Sequence, residues 1–225
     1  MGKRGDGYGS EYHLRRYLSE REQELSTAVR AAVGAPSSRC EWLPFPSVDG
    51  VERELKGVEF LAANAAGRQG WKGFWPSTGN AQNWDAVGRI SVDDEAEWVL
   101  VEAKARAAEL VSPACAAKGD GRTMIESALR DARRHFGVPE ERDWMGTYYQ
   151  IANRLASLYF LNEVAGERAR LVFLYFTSDR FPDGSACPAS ETEWEPLINR
   201  AKAALGLPME IDRVHHVFLP ALPKM

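Results

Sequence analysis

Apolar positions recur at helical steps through residues 10–33, where Leu14, Leu18, Leu25 and Val29 mark one stripe and Gly34-Ala-Pro36 supplies a stop. Residues 40–46 read as short and extended. A second helical pattern, with Val51, Leu55, Val58 and Ala62, predicts a helix over 50–66 that ends at Gly67. Residues 70–83 are rich in Trp, Gly, Pro and Asn and predict an ordered loop holding a short strand. Two strands follow, 84–90 and 97–104, as a hairpin through the acidic turn Ser91-Val-Asp-Asp94, a longer connection than the two-residue type. After a loop at 112–121, residues 123–136 form an amphipathic pattern with Ile125, Leu129, Ala132 and Phe136 on one stripe. A longer helix is predicted over 144–164. The continuous apolar run 171–176 suits a strand buried on both faces. Ser190 and Glu193 make a capping-box pattern that opens a helix through Trp194, Leu197, Ile198, Ala201 and Leu205, and residues 214–219 close the chain as a strand.

This alternation predicts a mixed α/β layer architecture in one domain over residues 1–225, with residues 1–10 as a flexible leader. A chain of 225 residues can bury one substantial core, and 44% apolar with 27% charged residues excludes wholesale disorder. The charged, Gly-rich start is followed by no apolar segment of the secretory kind, and no run is long enough to span a bilayer. The expected address is cytoplasmic, with no membrane partner. Cys40, Cys115 and Cys187 are too few and too scattered for a disulfide framework or a zinc site. The net charge of −4 argues against a general nucleic-acid footprint, so any such surface must be local. The best stretch is 104–134, with seven Lys or Arg against four Asp or Glu. A solvated helix face would carry a similar balance.

The chemistry concentrates in Trp98-Val-Leu-Val-Glu102-Ala-Lys104. Residues two apart on a strand share a face, so Glu102 and Lys104 project together beside Leu100, while Val99, Val101 and Ala103 face the other way. Charged groups in such an apolar frame need a partner, a metal ion or an opening to solvent. Asp85 opens the preceding strand and can reach the same end of the sheet. Two carboxylates suit a hard divalent cation that keeps several waters, and a lysine beside them can orient water or offset transition-state charge.

Asp85 on one hairpin strand and Glu102-Ala-Lys104 on the next resemble the signature of the PD-(D/E)XK nuclease superfamily. The match is firm only over residues 84–104, and Trp84 stands where the superfamily has proline. The resemblance implies a restriction-endonuclease-like αβββαβ core, a mixed central sheet flanked by helices, with an N-terminal helix and a C-terminal βα extension. It implies Asp85 and Glu102 as ligands of Mg²⁺ or Mn²⁺, Lys104 as the catalytic lysine, and DNA or RNA as the substrate. Members often add an acidic residue from the first core helix; Glu59 on the predicted 50–66 helix is the first choice and Glu24 the second. Some use a Gln-bearing helix after the Glu-x-Lys strand, a place Gln150 would take. The resemblance also leaves room for a homodimer.

Blander readings stand beside these. Glu-x-Lys recurs by chance, and the same charges could be structural ion pairs. The acidic cluster could be a relic in a non-catalytic binding or scaffolding module of the same fold. A third reading is a small-molecule enzyme or interaction domain with its cleft along the polar stripe Gln150, Asn153, Arg154 and Ser157, which could equally be an outer helix face. Trp71, Trp75 and Trp84 could stack on bases, although clustered large aromatics are more often core. His215 and His216, adjacent on a strand, point to opposite faces and cannot readily share an ion, while His13 and His135 are isolated. No nucleophile elbow, Gly-rich phosphate loop or dinucleotide fingerprint is present.

Overall fold

The structure is a computed structural model and describes residues 7–48, 51–77, 82–185 and 187–223. Two helices open it, α1 (Ser10–Glu20) and α2 (Glu22–Ala32). The single helix expected over 10–33 is broken at Arg21, whose φ of −139° leaves the helical region. Of the predicted leader, residues 1–6 lie outside the described residues. Tyr8 packs edge-on against Phe181 and the Gly9 amide donates to Asp179 Oδ2 at 2.8 Å, so the segment just before α1 is tied down.

Short strands follow: β1 (Cys40–Trp42), β2 (Ser47–Val48), β3 (Val51–Glu52) and β4 (Leu55–Lys56). The helix expected over 50–66 is therefore absent from its described part. Gly57, with φ +50°, turns the chain straight after β4, and an added Cβ there would meet Trp71 Nε1 at 2.9 Å. Tertiary pairing overrides the helical spacing, since β4 pairs with β5 (Asn83–Trp84). The helix in this region is α3 (Ala66–Phe74), which takes up part of the expected 70–83 loop; residues 78–81 of that loop lie outside the described residues.

The central hairpin comprises β6 (Ala86–Val92) and β7 (Glu95–Lys104), antiparallel with Val92 opposite Glu95. Its connection is only Asp93 and Asp94, with φ of 50° and 64°. The expected longer turn is thus a two-residue one, because aspartate tolerates the left-handed conformation that twisted hairpins favour. Beyond the 112–121 loop come α4 (Gly119–His135) and α5 (Tyr149–Tyr159), the latter continuing as one π-helical turn over Phe160–Val164. The strand β8 (Ala169–Thr177), helix α6 (Glu191–Leu205) and strand β9 (Val214–Pro220) complete the order. Ser190 is the N-cap of α6, but Glu193 reaches the Ala189 amide at 2.9 Å, one residue beyond the expected box.

The five-stranded sheet runs β1-β6-β7-β8-β9, antiparallel from β1 to β7 and parallel from β7 to β9. One face, with Val99, Val101, Val172 and Phe176, packs on Leu14, Tyr17, Leu25 and Val29 of α1 and α2. The other, with Leu100, Leu171 and Phe173, packs on α3, α4, α5 and α6. Both faces of β7 and β8 are thereby covered, as their apolar runs require. This is the expected mixed α/β layering. Among the described residues, no helix is long and apolar enough to cross a membrane.

Candidate functional site

The alternation on β7 falls as its sequence dictates, with Val99, Val101 and Ala103 toward α1 and α2 and Glu102 and Lys104 toward α5. Both charged residues are buried. Ala86 pairs with Val101, so Asp85, just ahead of β6, stands beside Glu102. The Asp85 amide donates to Val101 O at 3.1 Å and the Ala103 amide donates to Asp85 Oδ2 at 2.6 Å. One bond therefore fixes the Asp85 backbone against β7 and the other its carboxylate.

From the opposite side, α5 presents Gln150, Asn153 and Arg154 at helical spacing, all lining one cleft. Lys104 Nζ lies 2.5 Å from Glu102 Oε1 and donates to Gln150 Oε1 at 2.9 Å. Arg154 Nε donates to Glu102 Oε2 at 2.6 Å, and its Nη2 to the Asn83 carbonyl at 2.6 Å. Its guanidinium also lies 4.9 Å from the centre of the Trp84 ring. Arg154 thus ties the strand that carries Glu102 to the segment that leads into Asp85. Behind it, Gln82 donates to the Asn153 carbonyl at 3.0 Å and is hydrogen-bonded to Ser157. The polar stripe of α5 is therefore an inner face, because every member finds a partner; the outer-face reading of it is corrected.

The cleft encloses about 1100 Å³ between the start of α1, Trp75, the loop at Val111 to Lys118 and the first turn of α5. Three carboxylates, Glu54, Asp85 and Glu102, share its floor with two cations, Lys104 and Arg154. The imbalance shows in their protonation. Burial pushes the Asp85 carboxyl well above its ordinary range, and the charges of Glu102 and Glu54 push the same way. Glu54 is raised by burial and by nearby Glu11 and Glu102. Burial acts to raise Glu102 too, but the charges of Arg154 and Lys104 prevail and hold it below the ordinary value. The floor has one carboxylate held ionised, Glu102, and two that resist ionising, Asp85 and Glu54.

Glu59 and Glu24 lie elsewhere. Glu59 follows β4 and accepts from Arg53 Nη1 at 2.6 Å and from the Lys56 amide at 3.0 Å. Glu24 is paired with Arg21 on α2 at 3.3 Å. The third acid on the cleft floor is Glu54, which no pattern in the sequence singles out. Trp75 and Trp84 are core residues, and half-buried Trp71 packs on Phe160.

Among the described residues, no group of three His, Cys, Asp or Glu side chains is placed to hold an ion by itself. A magnesium ion commonly takes only one or two carboxylates and keeps its waters. Asp85 and Glu102 fit that mode: hard oxygen donors, adjacent across β6 and β7, in a floor with one more carboxylate than cations. Comparison of the chain with models of known protein families, with curated proteins and with solved structures finds no match in any of the three.

Proposed function

We propose that the chain is a Mg²⁺- or Mn²⁺-dependent nuclease of PD-(D/E)XK type that hydrolyses phosphodiester bonds in DNA or RNA. The observation that carries this reading is the convergence of Asp85, Glu102, Lys104 and Gln150 on the floor of one cleft, from the residue just ahead of β6, from β7 and from α5. The strand order adds support, since β1, β6 and β7 form an antiparallel run and β8 joins parallel after intervening helices, as an αβββαβ core requires.

Asp85 and Glu102 would hold the ion. Bound there, a divalent ion supplies Lewis-acid stabilisation of charge on a phosphoryl oxygen. Arg154 keeps Glu102 ionised and fixed. Lys104, held between Glu102 and Gln150, places an ammonium where it can orient the attacking water and offset negative charge on the transferring group. Gln150 sets the direction of that ammonium, and the Ala103 amide sets that of Asp85.

The test is cleavage of labelled single- and double-stranded DNA and RNA in EDTA, Mg²⁺ and Mn²⁺, beside Lys104→Ala. Metal-dependent cleavage that falls roughly 100-fold or more in the variant is expected for loss of one transition-state contact of this kind. Equal activity in variant and wild type sinks the reading.

One observation favours a second reading, a non-catalytic binding or scaffolding module of the same fold. Both oxygens of Glu102 already meet cations, Lys104 and Arg154, so that carboxylate is balanced by the protein alone. Calorimetric titration with Mn²⁺ separates the two. The nuclease requires binding that Asp85→Asn abolishes; the module predicts no such binding.

A further inference from the structure

The cleft also bears on which phosphodiesters fit it, and this step rests on the hydrolytic reading above. We propose that the substrate is a short single-stranded phosphodiester, a segment of about two or three nucleotides or the end of a strand, rather than a tract of duplex.

Size is the first argument. Pockets that enclose small molecules hold roughly 300–1,000 Å³. At about 1100 Å³, the cleft lies just above that range and is walled on several sides by α1, Trp75, the loop at Val111 to Lys118 and α5.

Charge is the second. Five carboxylates line the cleft, Glu11, Glu54 and Glu109 joining Asp85 and Glu102, against four cations. Lys104 and Arg154 are committed to Glu102, and Arg106 lies 3.5 Å from Glu109 and 3.5 Å from Asp183. Lys118 is the one lining cation with no partner among the described residues. Counted with every carboxylate ionised, as ion binding requires of Asp85, the lining carries one excess negative charge, which a divalent ion turns into one excess positive charge. That balances one diester at the floor, and a neighbouring phosphate would find only Lys118 to meet it.

The third argument is the basic stretch 104–134. Arg122 is paired with Glu126 at 2.7 Å and Arg134 with Asp131 at 3.6 Å. Arg133 donates to the carbonyls of Glu140 and Arg142 at 2.7 and 2.6 Å. The residues that would form a phosphate track along a duplex are engaged locally. A protein that grips duplex through 6–10 phosphates loses about 10³–10⁵ in affinity between 50 and 200 mM salt. One or two single-strand contacts predict a loss of only about 3- to 7-fold over the same range.

The experiment measures kcat/KM of the full chain with Mn²⁺ for a dinucleotide, a trinucleotide, a long single strand and a long duplex. Each is read at 50 and 200 mM salt, with bis(4-nitrophenyl) phosphate as a minimal diester. Expected are per-bond values at least about 10-fold higher for the short substrates than for duplex interior, and a salt loss under about 10-fold. Lys118→Ala should raise KM for the trinucleotide and flatten its salt dependence. Duplex cut in preference, with a salt loss above about 100-fold, overturns the substrate class while leaving metal-dependent hydrolysis in place. No hydrolysis of any substrate, the minimal diester included, fells both together.

Discussion

The strand β7 buries a glutamate near each end, Glu97 and Glu102, each 2% exposed and each held by two cations, yet only one end resembles a site. At Glu97, Arg170 and Arg213 approach one carboxylate oxygen at 2.5 and 3.1 Å, with Arg168 farther out at 4.0 Å. Cations outnumber that buried carboxylate, and Arg170 also reaches back to the Val33 carbonyl of the first helical layer. At Glu102 the ratio reverses, because Asp85 and Glu54 share the same two cations and a cleft stands open above them. A buried glutamate with cationic partners is therefore not in itself a mark of chemistry. What distinguishes the second end is carboxylate in excess of cation, facing a void that can admit an ion and a substrate.

The largest expected difference between the ends is in stability. Arg154→Ala leaves Glu102 buried with Lys104 alone and removes the donor to the Asn83 carbonyl. Breaking such a buried pair costs about 3–5 kcal/mol. Arg213→Ala should cost only about 1 kcal/mol, since Arg213 is 26% exposed and Arg170 still holds Glu97. Urea unfolding of the two variants measures this directly. Equal losses would mean that the two clusters carry the same structural weight and that Arg154 is no special tie between β7 and the approach to Asp85.

A smaller effect of opposite sign belongs to Asp85. Its folded pKa is raised, by burial first and then by Glu102 and Glu54. Its contribution to stability is therefore full below the unfolded value, near pH 4, and is lost as pH rises through the folded value. Glu102 runs the other way: its pKa is lowered, so its contribution holds above the ordinary carboxylate range and is lost as pH falls through the depressed value. In EDTA, Asp85→Asn should remove the alkaline loss and leave the acid loss, making the variant more stable than wild type at pH 8. It should also abolish Mn²⁺ binding. A variant less stable than wild type at pH 8 would show that Asp85 serves as a paired structural carboxylate, and the contrast with the Glu97 end would collapse.

The site was legible in the sequence where a short-range rule governs it. Period two on β7 put Glu102 and Lys104 on one face, and the hairpin brought Asp85 beside them; both follow from strand geometry. The apolar run at 171–176 marks a doubly covered strand for a similarly local reason. Glu54 and Asn83 reach the site through β4 pairing with β5, a contact made by a segment, 50–66, whose spacing in the sequence mimics a helix. Arg154 was visible only as one member of a polar stripe. That it faces inward depends on Glu102 and Asn83 being there to receive it, which no pattern within α5 encodes.

The smallest predicted effect tests the Glu97 end on its own. Arg168 is 52% exposed and pairs with Glu95, itself half exposed. It stands 4.0 Å from Glu97, whose charge Arg170 and Arg213 already meet at shorter range. Arg168→Gln should therefore cost no more than about 0.5 kcal/mol, the size of a solvated surface pair, and even that should vanish in 1 M salt. A loss near 3 kcal/mol that salt leaves untouched would mean that Glu97 draws on all three arginines. The Glu97 end would then hold a more demanding charge balance than the pairings suggest, and excess carboxylate at the Glu102 end would no longer be the feature that sets the two apart.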